Sequence, residues 1–236
     1  MVTSPVFLLS SIRSGSTLLR CILNTHSRIH APHELHLTDV RVSFDGRYAN
    51  VAMGVSELST RELEYLLWDR ILHRSLVASG KAIVVDKTPS YALNWRRLVE
   101  CWPQARFVFL LRDPAEALAS AYEASPDRDP AHAEYIVTSL IDGVDEARGN
   151  VDGHEVRYER LTAEPERTVA GLCRFLGEDF EATMLEYTIP EVMVPGIGDF
   201  TDNVKTGRVQ PPRRRAASVS AAVAERRRRW GYETST

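Results

Sequence analysis

Short apolar runs alternate with helical periodicity along most of the chain. Residues 5–10 form a continuous apolar stretch that predicts a buried strand, and residues 82–85 and 106–111 repeat the pattern. A fourth strand is predicted over 155–158. Between these runs the apolar positions recur at helical spacing. One helix is expected over 17–25, with Leu18, Leu19, Ile22 and Leu23 on one face. A second, over 60–77, has Thr60 and Glu62 near its start and Leu63, Leu66, Leu67 and Ile71 as its apolar stripe. Further helices are expected over 91–101, 114–124 (with Pro114 in the first turn), 134–148 and 165–176. Strands separated by helices need crossover connections. The fold class is therefore α/β, a central parallel sheet flanked by helices on both faces. Ligands of such sheets bind at the carboxyl ends of the strands. Residues 11–17, 86–89, 112–113 and 158–159 occupy those ends.

Composition narrows the picture. A chain of 236 residues with 44% hydrophobic and 26% charged content is neither disordered nor fibrous, and it is expected to form a single domain over 1–236. The apolar run over 6–9 is too short to span a bilayer and lacks the flanks of a signal peptide. A cytoplasmic protein with no membrane partner is expected. Cys21, Cys101 and Cys173 show no CxxC pairing and read as buried thiols. The net charge of −3 gives no reason to expect nucleic acid as a partner. Only three of the 29 basic residues are lysines, Lys81, Lys87 and Lys205, so a lysine at a predicted strand end stands out.

Two stretches carry anion chemistry. Ser10-Ser11-Ile12-Arg13-Ser14-Gly15-Ser16-Thr17 joins a strand to a helix. A small, hydroxyl-rich turn at a helix start aims backbone N–H groups and the positive end of the helix dipole at one spot, which suits a phosphate or sulfate. Arg13 adds a full charge and a fork of donors. The bland reading is a capped helix after a buried strand. A Walker nucleotide loop would need glycine at Ser10 and lysine at Ser16, and has neither. The second stretch, 106–114 followed by Ser120, ends a strand in Arg112 and opens a helix at Pro114. Ser120 falls about two turns into that helix, where it and Arg112 can clasp a second anion.

Together these two motifs resemble the sulfotransferases that use 3′-phosphoadenosine 5′-phosphosulfate (PAPS). The resemblance runs from residue 6 to about 176 and implies a P-loop-like three-layer fold. It implies that Arg13, Ser14, Gly15, Ser16 and Thr17 cradle the 5′-phosphosulfate, and that Arg112 and Ser120 bind the 3′-phosphate. Tyr158, in Val156-Arg157-Tyr158-Glu159, is implied to lie near the adenine; the alternative is an amphipathic core residue. The stretch Pro32-His33-Glu34-Leu35-His36-Leu37 resembles the PPELHL pattern of sulfotransferase domains that set up terminal alkene formation in polyketide pathways. The tyrosylprotein branch likewise carries a glutamate just after the first helix. Glu34 is thus implied as general base, with His36 in reserve. An acceptor alcohol needs such a base, being a poor nucleophile until its proton is being removed. Lys87, in Asp86-Lys87-Thr88-Pro89-Ser90-Tyr91, resembles the lysine placed beside the bridging oxygen of the donor. Otherwise it is an ordinary loop lysine.

The resemblance also implies a late basic loop on the 3′-phosphate, for which Arg208 and Lys205 are the candidates. The family's glycine-rich GxxGxxK form is absent there, and Ile12 stands where many relatives carry proline. Arg213 to Arg215 continue the basic segment, and the run 226–229 reads as a solvated helix face. His26, His30, His33 and His36 with Glu34 match no helical zinc spacing, so no metal is expected. The expected partner is a hydroxyl acceptor, either a small molecule or a group tethered to a carrier protein. Its pocket would be shaped by residues 38–59 and 188–203, which show no readable specificity. Oligomeric state leaves no signal. A P-loop small-molecule kinase using ATP and a non-catalytic binding module are the rival readings.

Overall fold

The computed structural model describes residues 1–189, 202–211 and 219–232. In chain order its elements are β1 (Val6–Ser10), α1 (Ser16–Thr25), β2 (Ile29–His30), α2 (Arg47–Val55), α3 (Thr60–Ser79), β3 (Ile83–Asp86), α4 (Tyr91–Cys101) and β4 (Arg106–Leu111). There follow α5 (Pro114–Ala124), α6 (Pro130–Arg148), β5 (Gly153–Arg157), α7 (Tyr158–Ala163), α8 (Pro165–Leu176), α9 (Asp202–Lys205) and α10 (Ala221–Arg229). The five strands form one parallel sheet in the order β2-β3-β1-β4-β5.

β1 up to its last residue, Ser10, and β4 after Arg106 are apolar because both faces of the sheet are covered. Alternate residues feed two cores. Phe7, Leu9, Val84, Phe107, Phe109 and Leu111 pack with side chains of α3, α4, α5, α6 and α10. Val6, Leu8, Val85, Val108, Leu110 and Val156 pack with α1, α7 and α8 on the opposite face. The result is the expected three layers. Because every strand runs the same way, all five carboxyl ends emerge on one edge.

Several expectations need correction. Within α3 the inward residues are Glu64, Trp68 and Leu72, while Leu66 and Leu67 are exposed. The inward face contains a charged residue, met by Arg97, Arg41 and the Val42 N–H, so apolar spacing alone selects the wrong stripe. Tyr158 opens α7 rather than ending a strand, and β5 begins two residues before the predicted 155. β2 has two residues and α2 buries none, so neither leaves a periodic signal. The arginine run is not simply a solvated face. Arg227 makes a two-pronged pair with Asp113, and Arg226 and Arg229 pair with Asp142 on α6. Arg213 to Arg215 and most of 188–203 lie outside the described residues. Among the described residues no helix is long and apolar enough to cross a membrane.

Candidate active site

The strand order decides which residues meet. Read across the sheet edge, the segments leaving β2, β3, β1, β4 and β5 carry Glu34, Lys87, the loop over 11–15, Arg112 and Tyr158. Residues scattered over more than 120 positions of sequence therefore arrive side by side.

The loop after β1 has the backbone that the sequence predicts for an anion cradle. Gly15, at φ +88°, turns the chain into α1, and Arg13 also adopts a left-handed conformation at φ +60°. The N-cap of α1 is Gly15, which offers no side chain to the first-turn N–H groups. The Ser14 hydroxyl is buried and has no hydrogen-bond partner among the described residues. A Cβ on Gly15 would come within 2.4 Å of the Tyr158 ring, so the absence of a side chain is what lets the tyrosine close on the loop.

Arg112 ties the two motifs together. Its Nη1 donates to the Arg13 carbonyl at 2.7 Å, and its guanidinium carbon sits 4.4 Å from the centre of the Tyr158 ring. Its other Nη lies 3.5 Å from Glu116. Arg13 Nε donates to the Ser120 hydroxyl at 3.2 Å. Arg13, Gly15, Arg112, Ser120 and Tyr158 thus form one contiguous group.

Glu34 and Lys87 occupy the neighbouring end of the same edge. Lys87 is 2% exposed, and its ammonium donates to Glu34, which is 8% exposed. Burial holds the lysine below its ordinary range, and Glu34 opposes that shift. The second Glu34 oxygen lies 3.3 Å from His36 Nε2, and His36 Nδ1 lies 3.3 Å from Asp39. His36, at 42% exposure, is the opening of this charged cluster to solvent.

The other histidines go elsewhere. His26 contacts the Asp179 carbonyl, His33 the Glu34 carbonyl and His30 the Ser75 hydroxyl. Burial, with Lys81 and His33 nearby, pushes His30 down to about 4. Among the described residues no group of three or more His, Cys, Asp or Glu side chains is placed to hold a metal ion. Arg208 pairs with exposed Glu186 and is not brought to Arg112 or Ser120 by any hydrogen bond or ion pair between described side chains. Lys205 is exposed on α9.

Sequence reasoning missed residues that brace the site. Asp113 caps α5 by accepting from the Ala115 N–H, and its own N–H donates to Glu159. Tyr232 donates to the other Glu159 oxygen at 2.7 Å, and the Trp230 carbonyl accepts from Arg157. The C-terminal segment thus buttresses the residues next to Arg112 and Tyr158. Only the excess of arginine over lysine there hinted at fixed, forked pairing.

The parallel sheet between its two helical layers defines an α/β protein of the P-loop-like kind. The sulfotransferase family model matches residues 5–182, and the chain belongs to that family. It is 28% identical to the nodulation protein NoeE of Sinorhizobium fredii over 208 residues, covering 73% of this chain and 50% of that one. It is also 28% identical to the omega-hydroxy-beta-dihydromenaquinone-9 sulfotransferase Stf3 of Mycobacterium tuberculosis over 149 residues, 55% of this chain and 38% of that one. The chain therefore spans half or less of the length of these curated relatives. Two solved structures share the fold over almost their whole length. The sulfotransferase domain of the curacin biosynthetic pathway has a TM-score of 0.67 at 20% identity, covering 98% of this chain and 99% of that one. The sulfotransferase domain of the Synechococcus PCC 7002 olefin synthase has a TM-score of 0.70 at 22% identity, with coverages of 99% and 97%.

Proposed function

We propose that this sulfotransferase, acting as a single domain over residues 1–236, moves a sulfuryl group from PAPS to the hydroxyl of a small-molecule or carrier-tethered secondary metabolite. One observation carries the reading: Lys87, paired with Glu34, leaves the strand next to the one that delivers the loop Arg112 holds through the Arg13 carbonyl. The residues fit the nucleotide. The glycine-capped N-terminus of α1 and the unpartnered Ser14 hydroxyl supply donors for the 5′ end. Gly15, Ser16 and Thr17 complete that cradle, Arg112 and Ser120 serve the 3′-phosphate, and Tyr158 walls the adenine side.

In the reaction the acceptor oxygen bonds to sulfur as the bond from sulfur to the bridging phosphate oxygen breaks. The electron pair leaves with 3′-phosphoadenosine 5′-phosphate (PAP). Glu34 takes the hydroxyl proton, and His36 stands between it and solvent. Lys87, Arg13 and the loop N–H groups stabilise the charge that develops on the leaving oxygen. Loss of one such preorganised donor typically costs ~2.7–4 kcal/mol of barrier. These fixed cations supply the positive charge that magnesium supplies in Walker-type sites, so no metal is needed.

The acceptor class rests on the relatives: one is named for a hydroxylated menaquinone, and two solved domains come from a biosynthetic pathway and an olefin synthase. The test is a pair of measurements. PAP should raise the melting temperature, and labelled PAPS should lose its sulfuryl group to an alcohol in the presence of chelator. Stabilisation by magnesium–ATP but not by PAP would make the protein a kinase instead.

A further inference from the structure

We propose that Asp86, Thr88 and Tyr91 form a latch that fixes Glu34 by gripping the backbone immediately after it. This rests on the reading of Glu34 as the base. The segment after β2 lacks regular structure until the short turn Leu37–Asp39, so no helix or strand ladder fixes the direction of Glu34. Its N–H groups are instead held by side chains between the end of β3 and the start of α4. The Thr88 hydroxyl accepts from the His36 N–H at 3.2 Å. The Tyr91 hydroxyl accepts from the Leu37 N–H at 3.1 Å and donates to Asp86 at 2.6 Å. The Leu35 N–H, together with that of Lys87, favours the charged form of Asp86.

Two consecutive residues, His36 and Leu37, are therefore tied by their N–H groups to side chains that follow the strand delivering Lys87. All three latch side chains are fully buried, so none of them touches the acceptor, and they act through Glu34. His36 is held at φ +50°, a conformation rare for a residue with a side chain, which the flanking bonds maintain. A latch of this kind sets the distance between base and ammonium, and misplacement by an ångström can cost about a hundredfold in rate.

The test is a double-mutant cycle. Turnover is read with PAPS and a hydroxyacyl pantetheine thioester as probe acceptor, alongside PAP affinity. Tyr91→Phe and Thr88→Val should each lower kcat about tenfold or more while PAP affinity stays within twofold, and Thr88→Ser should restore most of the loss. In a Glu34→Gln background, Tyr91→Phe should cost nothing further. Unchanged kcat, loss of PAP affinity in step with kcat, or multiplicative losses in the double variant would overturn the latch. The two readings fail differently. Full turnover in Glu34→Gln removes the base and the latch with it, whereas an inactive Glu34→Gln beside a neutral Tyr91→Phe removes the latch alone. Should Tyr91→Phe fold poorly, the Thr88 pair carries the same test.

Discussion

The Arg112 guanidinium donates to the Arg13 carbonyl across 2.7 Å, joining two loops that lie 99 residues apart in sequence. The arginine expected to bind one end of the nucleotide thus also holds the shape of the loop expected to bind the other. Arg112→Ala should weaken PAP binding by about 1.5–3 kcal/mol, roughly 10–100-fold, because a charge-assisted bond is lost in a buried setting. Turnover at saturating nucleotide should fall only a few-fold. Calorimetric titration beside steady-state kinetics checks both halves, and unchanged affinity would remove Arg112 from the nucleotide site.

Gly15 meets two demands at once, a positive φ and contact with the Tyr158 ring. Gly15→Ala should destabilise the protein by about 1–3 kcal/mol and impair nucleotide binding, since the added methyl must displace the ring. Chemical denaturation with and without PAP reads both effects. A variant of wild-type stability and affinity would mean that the ring moves aside freely.

Arg227 lies beyond the matched family region, yet its two-pronged pair with Asp113 at 2.9 Å anchors α10 beside the Arg112 motif. Arg227→Ala should cost about 1–3 kcal/mol of stability, because Asp113 is left partly buried without its partner. The denaturant midpoint of Arg227→Lys should fall between those of wild type and Arg227→Ala, since a lysine keeps the charge but cannot reproduce the fork. Equal midpoints for wild type and both variants would show that α10 is not anchored there.

Burial raises the Asp86 carboxyl from its ordinary 3.8 to about 6, against the opposing bond from Tyr91. A group raised in this way favours the fold fully below pH 3.8, and that contribution disappears as pH rises through about 6. Between those values the folded protein binds a proton that the unfolded chain releases. Stability of wild type relative to Asp86→Asn should therefore fall by about 2 kcal/mol on going from pH 4 to pH 7. Urea unfolding of the two proteins across that range gives the difference directly, and a flat difference would contradict the raised carboxyl.

Most of the sheet was legible because its central strands are doubly covered and leave unbroken apolar runs, as over Val6–Ser10 and Arg106–Leu111. β5 was harder to place. In Gly153–Arg157 only Val156 is fully buried, so its boundary gave no hydrophobic signal. α3 misled because Glu64 faces inward and is balanced by arginines distant in sequence. In the candidate site Arg13, Arg112 and Ser120 came from their places at strand ends and in the helix that follows, and Tyr158 from the family resemblance, and the structure gathers them. Thr88 and Tyr91 stood in a noticed stretch, but their work is done on backbone N–H groups some 50 residues away, which no local pattern encodes. Arg208 was drawn from resemblance alone, and its exposed pair with Glu186 shows how weakly a lone arginine specifies its partner.

The central claim is that Glu34 removes the acceptor proton while the neighbouring loops hold the nucleotide. It is tested most directly by sulfuryl transfer from PAPS in wild type and Glu34→Gln, using an aliphatic alcohol and an acidic phenol as acceptors. The aliphatic alcohol needs a base and should react at least about a hundredfold more slowly with the variant. The phenol, already prone to ionise, should lose far less, and PAP affinity should be unchanged. Equal losses with both acceptors, or undiminished transfer to the alcohol, would contradict the account.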